Sequence, residues 1–460
     1  MLHTAQRYGA LIESGARSWQ IFQQQNGTAD ISLSGSWFFA EENGLETVYV
    51  KIVDEMDGHV IVPYTKCDML PGRKWSVQLR EVPAGGPYRI ESCLNRGNCG
   101  LEASDVGDMV KHIGVGDLFL IAGQSNAVGY GRDYIPDPPE LGVHCFGSDG
   151  EWDLAAHPLG DATNTFHPAN RPRVNAAHSP YLCFAKILHH NLGYPIGLIP
   201  TALGCSSLSE WNPHENGRLF ANMVKICRAA GGRVAGVLWY QGCDDTRGRQ
   251  WETYVSRFRQ MVEALRKELS SSKLPFFTVQ LNKSVTARDE DTEGWGMVRD
   301  AQRKAAKDIP HVHIVPSMDV NVCDRIHNNA SANLVIGQRL ANQALHYLYG
   351  KNTLCDAPEI VSAIRLNEYE ILLKFENVHQ ELYFRREVET EIPFALESGG
   401  GMNQVLDCEA HGDTLTVRTA LPVGEHAVIS CGAFIYCSNN LPFDTHSFLP
   451  ILAFYRIPVQ

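Results

Sequence analysis

From about residue 113 to residue 352, short apolar runs alternate with amphipathic stretches, and this pattern restricts the fold more than any other feature of the chain. Asp117–Ala122, Ile196–Pro200, Val234–Tyr240, Phe276–Leu281 and Val312–Val315 have the length and apolar content of strands buried on both faces. Tyr181–Leu192, Arg218–Ala230, Trp251–Leu265 and Asn333–Tyr349 lie between or after them and read as helices. In the third of these helices, Val255, Phe258, Met261, Val262 and Leu265 share one face. Gly193 stands where the first helix would stop. Such alternation predicts parallel strands with helices on both faces of the sheet. Ligands in such sheets bind in the crevice at the carboxyl ends of the strands.

The flanks read differently. Up to about residue 112, Val48, Val50 and Ile52 alternate with Tyr49 and Lys51, Asp57-Gly58 signals a hairpin, and Val60–Tyr64 continues apolar. Trp75–Leu79 and Tyr88–Leu94 follow as strands on either side of a Pro83–Pro87 turn region. After about residue 353, Ile371–Phe375, Thr414–Arg418 and His426–Ser430 are strand-like, with turns at Gly399-Gly400-Gly401 and His411-Gly412-Asp413. Each flank is therefore expected to be a β-sandwich. The expected domains are 1–112, 113–352 and 353–460, consistent with a 460-residue chain exceeding one ordinary core.

A formal net charge of -12 argues against nucleic acid and anionic membrane as partners. No apolar run approaches the roughly 18 residues of a membrane span, and Met1–Gln25 lacks the layout of a secretory leader. A cytoplasmic location is expected on that basis. The thirteen cysteines are odd in number, include no C-x-x-C pair, and are expected to be mostly reduced thiols. Cys93 and Cys99 are six apart, as are Cys431 and Cys437, and no Cys/His grouping has zinc-ligand spacing, so no metal is expected there. Oligomeric state is left open, a homo-oligomer included.

Four segments carry chemistry. Gly123-Gln124-Ser125-Asn126 directly follows a predicted buried strand, which would expose the Ser125 hydroxyl at the ligand-binding end of the sheet. It is not the G-x-S-x-G elbow, because Ala127 stands in place of the last glycine. The plain alternative is a serine capping the next helix. Asp324-Arg325-Ile326-His327 offers an imidazole that can take the serine proton and a carboxylate that can hold the other ring N–H. The plain alternative there is a surface histidine ahead of a helix. Ala202–Ser207 and Trp239–Asp244 each follow a strand and could supply oxyanion donors, or could be ordinary turns.

Taken together and in order, G-Q-S-N, L-G-C-S-S-L-S-E-W, W-Y-Q-G and D-x-x-H resemble the four blocks of SGNH/GDSL hydrolases, and among these the sialate O-acetylesterases and related bacterial carbohydrate acetylesterases. Val298-Arg299-Asp300-Ala301-Gln302 extends the resemblance within the central region. Ala84–Tyr88 and Asn439–Pro442 carry it faintly into the flanks. The resemblance implies a three-layer α/β/α SGNH hydrolase domain in which Ser125 is the nucleophile, His327 the base and Asp324 its orienting carboxylate. The Ser125 and Gly204 N–H groups and the Gln241 side chain would form the oxyanion hole. Trp211, Trp239 and Tyr130 could face a sugar ring, and Arg132 a sugar carboxylate, although core packing is the favoured reading for each tryptophan.

One position departs from the pattern. Many relatives carry glutamate after W-Y-Q-G, where this chain has Cys243. Asp324 would then orient His327 alone, or Asp244 would substitute, or catalysis would be impaired. The implied function is a serine esterase that removes acetyl groups from sugars, either sialate or plant glycan oligosaccharides such as those of xylan, mannan or xyloglucan. A carbohydrate-binding protein that has lost the reaction is the alternative from another class.

Overall fold

The computed structural model describes residues 8–97, 100–165, 167, 169, 175–285, 292–386 and 391–460. Cys99, and with it any pairing to Cys93, lies outside them. The fold is mixed α/β with several sheets. Its centre is a sheet in the order Trp152–Leu154, Val143–Phe146, Ile196–Pro200, Asp105–Gly123, Gly236–Tyr240, Phe276–Val279 and Val312–Val315. Every neighbouring pair in it is parallel except Trp152–Leu154 with Val143–Phe146, a hairpin at one edge. Phe119, Leu120, Ile121, Val237, Leu238, Phe276 and Phe277 fill the sheet's interior. Phe184, Leu188, Met223, Phe258, Met261, Ile336 and Leu340 from the helices pack on it. Burial on both faces is what turned these strands into continuous apolar runs rather than alternating ones.

The predicted elements of this region are present. Tyr181–Leu192, Ile196–Pro200 and Val312–Val315 have the expected bounds. The other helices span Arg218–Ala229, Tyr254–Glu268 and Ala330–Tyr347. A helix at Thr292–Asp308 was not predicted. Its polar composition hides a buried stripe of Trp295, Val298, Ala301 and Ala305.

The expected boundary at residue 112 falls inside a single strand. Asp105–Gly123 pairs antiparallel with Gly85–Asn95 over its first half and parallel with its central-sheet neighbours over its second. The Thr47–Asp54 and Val60–Lys66 hairpin joins the same sheet through Gly85–Asn95. A four-stranded sheet of Gly9–Ser14, Thr28–Phe38, Lys74–Pro83 and Asp68–Leu70 faces it across a separate core containing Ile31, Val50, Trp75 and Ile90. After residue 353, two four-stranded antiparallel sheets enclose a third core around Leu373, Leu396, Val417 and Ile429. No helix among the described residues is long and apolar enough to cross a membrane. The described cysteines, Cys431 and Cys437 included, are free thiols.

Candidate active site

Ser125 opens the short Ser125–Val128 helix at the carboxyl end of the Asp105–Gly123 strand. The glycine before it is a steric requirement. Gly123 has φ +126°, and a Cβ there would lie 2.2 Å from the Tyr240 carbonyl oxygen. Only glycine lets the strand turn out of the sheet this close to its neighbour.

The two residues flanking the serine act as staples. Gln124 accepts from the Gly242 N–H (2.8 Å) and donates to Asp244 (3.1 Å), holding the loop after Gly236–Tyr240. Asn126 donates to the Ile326 carbonyl (3.2 Å) and accepts from the Asn328 N–H (3.0 Å), gripping the chain on either side of His327. The imidazole is thereby brought to the serine's end of the sheet from 202 residues away.

Asp324 holds the same loop from within. One carboxylate oxygen accepts from the N–H groups of Ile326 (2.9 Å) and His327 (2.8 Å), and the other lies 2.7 Å from His327 Nδ1. Burial alone would raise the Asp324 carboxyl, but the His327 contact and the two N–H donors more than offset this and hold it below the ordinary value. Nδ1 is thus occupied. Nε2 of His327 has no partner among the described residues. Asp244 turns instead to Gln124, and Cys243 is a buried thiol whose ionisation is opposed by desolvation. The alternative in which Asp244 replaces a missing glutamate therefore has no contact to support it.

Tyr130 lies against the pair. Its ring meets the His327 ring edge-on at 4.9 Å. A Cβ on Gly204 would lie 3.3 Å from the Tyr130 hydroxyl and 3.6 Å from Ser125 Cβ, so Gly204 lies beside the serine. The loop carrying Gly204 is tied to the strand before the serine, since Leu203 N–H donates to Gly123 O (3.0 Å) and Thr201 to Ile121 O. The backbone N–H groups of Ser125 and Gly204 have no acceptor among the described residues.

Three expected roles need correction. Gln241 is fully buried, and its amide N–H groups are spent on the Ser206 carbonyl (3.2 Å) and the Asp245 carboxylate, so no proton remains for an oxyanion. Trp211 and Trp239 are core residues packed edge-to-face at 5.4 Å, with Trp211 Nε1 donating to Ser206 Oγ. Neither faces solvent, so neither can meet a sugar. Tyr130 is also mostly buried, as a wall of the site. Arg132 is exposed, stacks loosely on Tyr130 (5.9 Å) and has no ion pair among the described residues.

Residues with no obvious signature of chemistry complete the frame. Asp245, fully buried, accepts from Leu208 N–H (2.8 Å) and pairs with Arg257 (3.2 Å), joining the second and third blocks. Asn328 donates to the Tyr240 hydroxyl (3.2 Å), and Asn282 donates to Asn328 (2.7 Å). One cavity, lined by Gln20, Gln23, Arg80 and Arg233 among others, opens near the amino ends of the strands, and none of its lining residues is one of the candidate site residues. Among the described residues the grouped metal-ligand side chains are Asp137, His157 and His178, behind the Tyr130 loop rather than in the site.

A family model described as carbohydrate esterase, sialic acid-specific acetylesterase matches residues 115–346. A probable carbohydrate esterase of Arabidopsis thaliana is 28% identical over 186 residues, which is 36% of this chain and 68% of that protein. The crystal structure of a carbohydrate acetylesterase from Xanthomonas citri is similar in fold, with a TM-score of 0.65 at 20% identity. That similarity covers 97% of this chain and 99% of the other, so it includes both flanks as well as the central region.

Proposed function

As this chain belongs to the carbohydrate esterase family of sialic acid-specific acetylesterases, we propose that it hydrolyses acetyl esters on a sugar by a Ser125–His327–Asp324 acyl-enzyme mechanism. His327 Nε2 takes the Ser125 proton as Oγ attacks the acetyl carbonyl. The oxyanion forms against the N–H groups of Ser125 and Gly204. His327 then protonates the departing sugar oxygen, and water releases acetate with the same groups in reversed roles. Asp324 keeps the imidazole in the tautomer that leaves Nε2 free to accept.

The observation that supports this reading is the pair of bonds from Asn126 to residues 326 and 328, which flank an imidazole bound to Asp324, since Asn126 directly follows Ser125. The Asp324 contact supports this reading over the catalytically silent alternative, because in the proposed triad Asp324 fills the role that a glutamate at position 243 would otherwise have. Tyr130 and Arg132 would line the sugar side, with Arg132 suited to a sugar carboxylate. That favours an acetylated sialic acid over a neutral plant glycan oligosaccharide.

The central region would be a three-layer α/β/α SGNH hydrolase domain between two β-sandwich domains, the first meeting it within the Asp105–Gly123 strand rather than at residue 112, and the second following residue 353. No cofactor enters the proposed chemistry. The test is Ser125→Ala assayed with p-nitrophenyl acetate and with a panel of acetylated sugars. Activity should fall by about four to six orders of magnitude, and labelling by a fluorophosphonate should disappear. Full activity in the variant would refute the mechanism, and preference for acetylated xylo-oligosaccharides over acetylated sialic acid would refute the substrate choice.

A further inference from the structure

Behind the loop that carries Tyr130, three segments distant in sequence bring together a carboxylate and two imidazoles. Asp137 follows the Tyr130 loop, His157 follows the Trp152–Leu154 strand, and His178 precedes the Tyr181–Leu192 helix. One ligand atom from each lies within 4.8 Å of the others. Asp137 Oδ2 is 2.9 Å from His157 Nε2 and 3.4 Å from His178 Nε2.

We propose that Asp137, His157 and His178 bind one divalent transition-metal ion, zinc by ligand type, as a structural brace for the active-site loop. The ligand set is right for that class of ion, since imidazole nitrogen and carboxylate oxygen are standard zinc donors. The spacing is right as well. Ligand atoms about 2.0–2.1 Å from a tetrahedral zinc lie about 3.3 Å apart, between the two distances observed.

A second observation points the same way. His178 is 8% exposed, and both its ring nitrogens lack a hydrogen-bond partner among the described residues; Nε2 is near Oδ2 without the geometry of a bond to it. His157 Nδ1 is buried and unpartnered too. A buried polar atom left unsatisfied is costly, and a metal at the shared point would engage His178 Nε2.

Lys186 is the feature to reconcile, as an ammonium repels a cation. Its Nζ sits 2.6 Å from Asp137 Oδ1 and 2.6 Å from the Pro138 carbonyl, on the far side of the carboxylate. It therefore leaves Oδ2 turned toward the two imidazoles, which is how outer partners orient a ligand carboxylate. Burial would push the Asp137 carboxyl up, but the neighbouring His157, His178 and Lys186 groups more than offset it and keep the carboxylate ionised. The two rings stack at 4.0 Å and would turn apart on binding to open toward tetrahedral angles, with water as fourth ligand.

The brace would act on the site through the backbone. His178 and Gly131 exchange N–H···O bonds of 3.1 Å each, and Ala177 N–H donates to Gly129 O (2.8 Å), which fixes the turn holding Tyr130 against His327.

Chelator-stripped full-length protein should be titrated with zinc and, separately, with cobalt(II), following affinity by competition with a chromogenic chelator and geometry by visible absorption. One equivalent of zinc should bind with micromolar affinity or better and raise the thermal midpoint. Cobalt should show the d–d bands of a low-coordinate nitrogen/oxygen site without a thiolate charge-transfer band. His157→Asn and His178→Asn should each lower affinity at least about a hundredfold. The wild-type titration decides even if a variant misfolds: no binding, or a thiolate band that assigns the metal to cysteines, overturns the proposal. So does unchanged affinity in a folded His157→Asn/His178→Asn double variant.

Discussion

Asp324 spends one carboxylate oxygen on two backbone N–H groups and the other on an imidazole. Shape and charge are thus set by the same side chain, and the two contributions can be separated by substitution. Asp324→Asn preserves the size but presents an amide to His327. On the proposed mechanism kcat should drop by about 10³–10⁴-fold, the range seen when a triad carboxylate is neutralised. Asp244→Asn, three residues beyond Gln241 and in contact with Gln124 rather than His327, should stay within about tenfold of wild type in the same assay. The reverse ranking would move the acid role to the third block.

The same residue predicts a pH effect on stability. The folded-state pKa of Asp324 is depressed, so its contribution is present above the unfolded-state value and is lost as pH falls through the folded one. Denaturant melts between about pH 5 and pH 2 should therefore lose less stability in Asp324→Asn than in wild type. An identical acid slope in the two proteins would mean that the carboxylate is not favoured by its surroundings.

At the scale of elements, the G-Q-S-N turn is a junction: its glutamine grips the third block and its asparagine the fourth. Asn126→Ala removes both grips on the His327 loop and leaves an Asn328 N–H unsatisfied in the interior. A loss of about 2–4 kcal/mol in unfolding free energy is expected from two such buried bonds. kcat should fall by about a hundredfold with little change in KM, because a base displaced by an ångström loses its reach. A variant destabilised to that extent but with full kcat would show that the loop holds its place without Asn126.

The elements themselves were largely legible. Runs buried on both faces announce parallel strands, as at Ile196–Pro200 and Val312–Val315, and Asp57-Gly58 marked the Thr47–Asp54 to Val60–Lys66 hairpin. The Thr292–Asp308 helix escaped because a narrow apolar stripe is diluted by charged residues on its other faces. The strand spanning residue 112 escaped because its two halves sit in different surroundings, one partly exposed and the other wholly buried. Gln241 was misread for a related reason. Its place after a strand is visible in the sequence, but the Ser206 carbonyl and the Asp245 carboxylate that take its protons arrive from other parts of the chain.

Across the whole molecule, the C-terminal region is welded to the central one by a buried cation. Arg299, fully buried on the Thr292–Asp308 helix, donates to the carbonyls of Gly432 (2.8 Å) and Phe434 (2.6 Å) across the junction, and to Leu281 (3.1 Å) and Asn282 on its own side. Gln280 adds two bonds to Ala453. The receiving segment, residues 281–285, also touches the His327 loop, since Val285 N–H donates to Arg325 O (2.8 Å). Arg299→Lys keeps the charge but loses the planar fork, so several carbonyls lose their donor at once. A loss of about 3–5 kcal/mol is expected, the cost of breaking a buried charged network, with a fall in thermal midpoint measured on the full chain. A midpoint within a degree of wild type would show that the Arg299 network does not hold the two regions together.

The order and spacing of apolar runs, read along the chain, settled the α/β class and the strand-rich flanks, and the four short blocks marked where chemistry should be sought. This was possible because burial and turn geometry act locally and leave periodic traces. The partners of those blocks were decided only in three dimensions. Whether Asp324 or Asp244 meets His327, whether Gln241 has a free proton, and that Asp137, His157 and His178 meet at all depend on contacts between residues tens to hundreds of positions apart. Such contacts leave no periodic trace in one sequence, because each is made by the packing of the whole sheet and its helices rather than by the residues on either side.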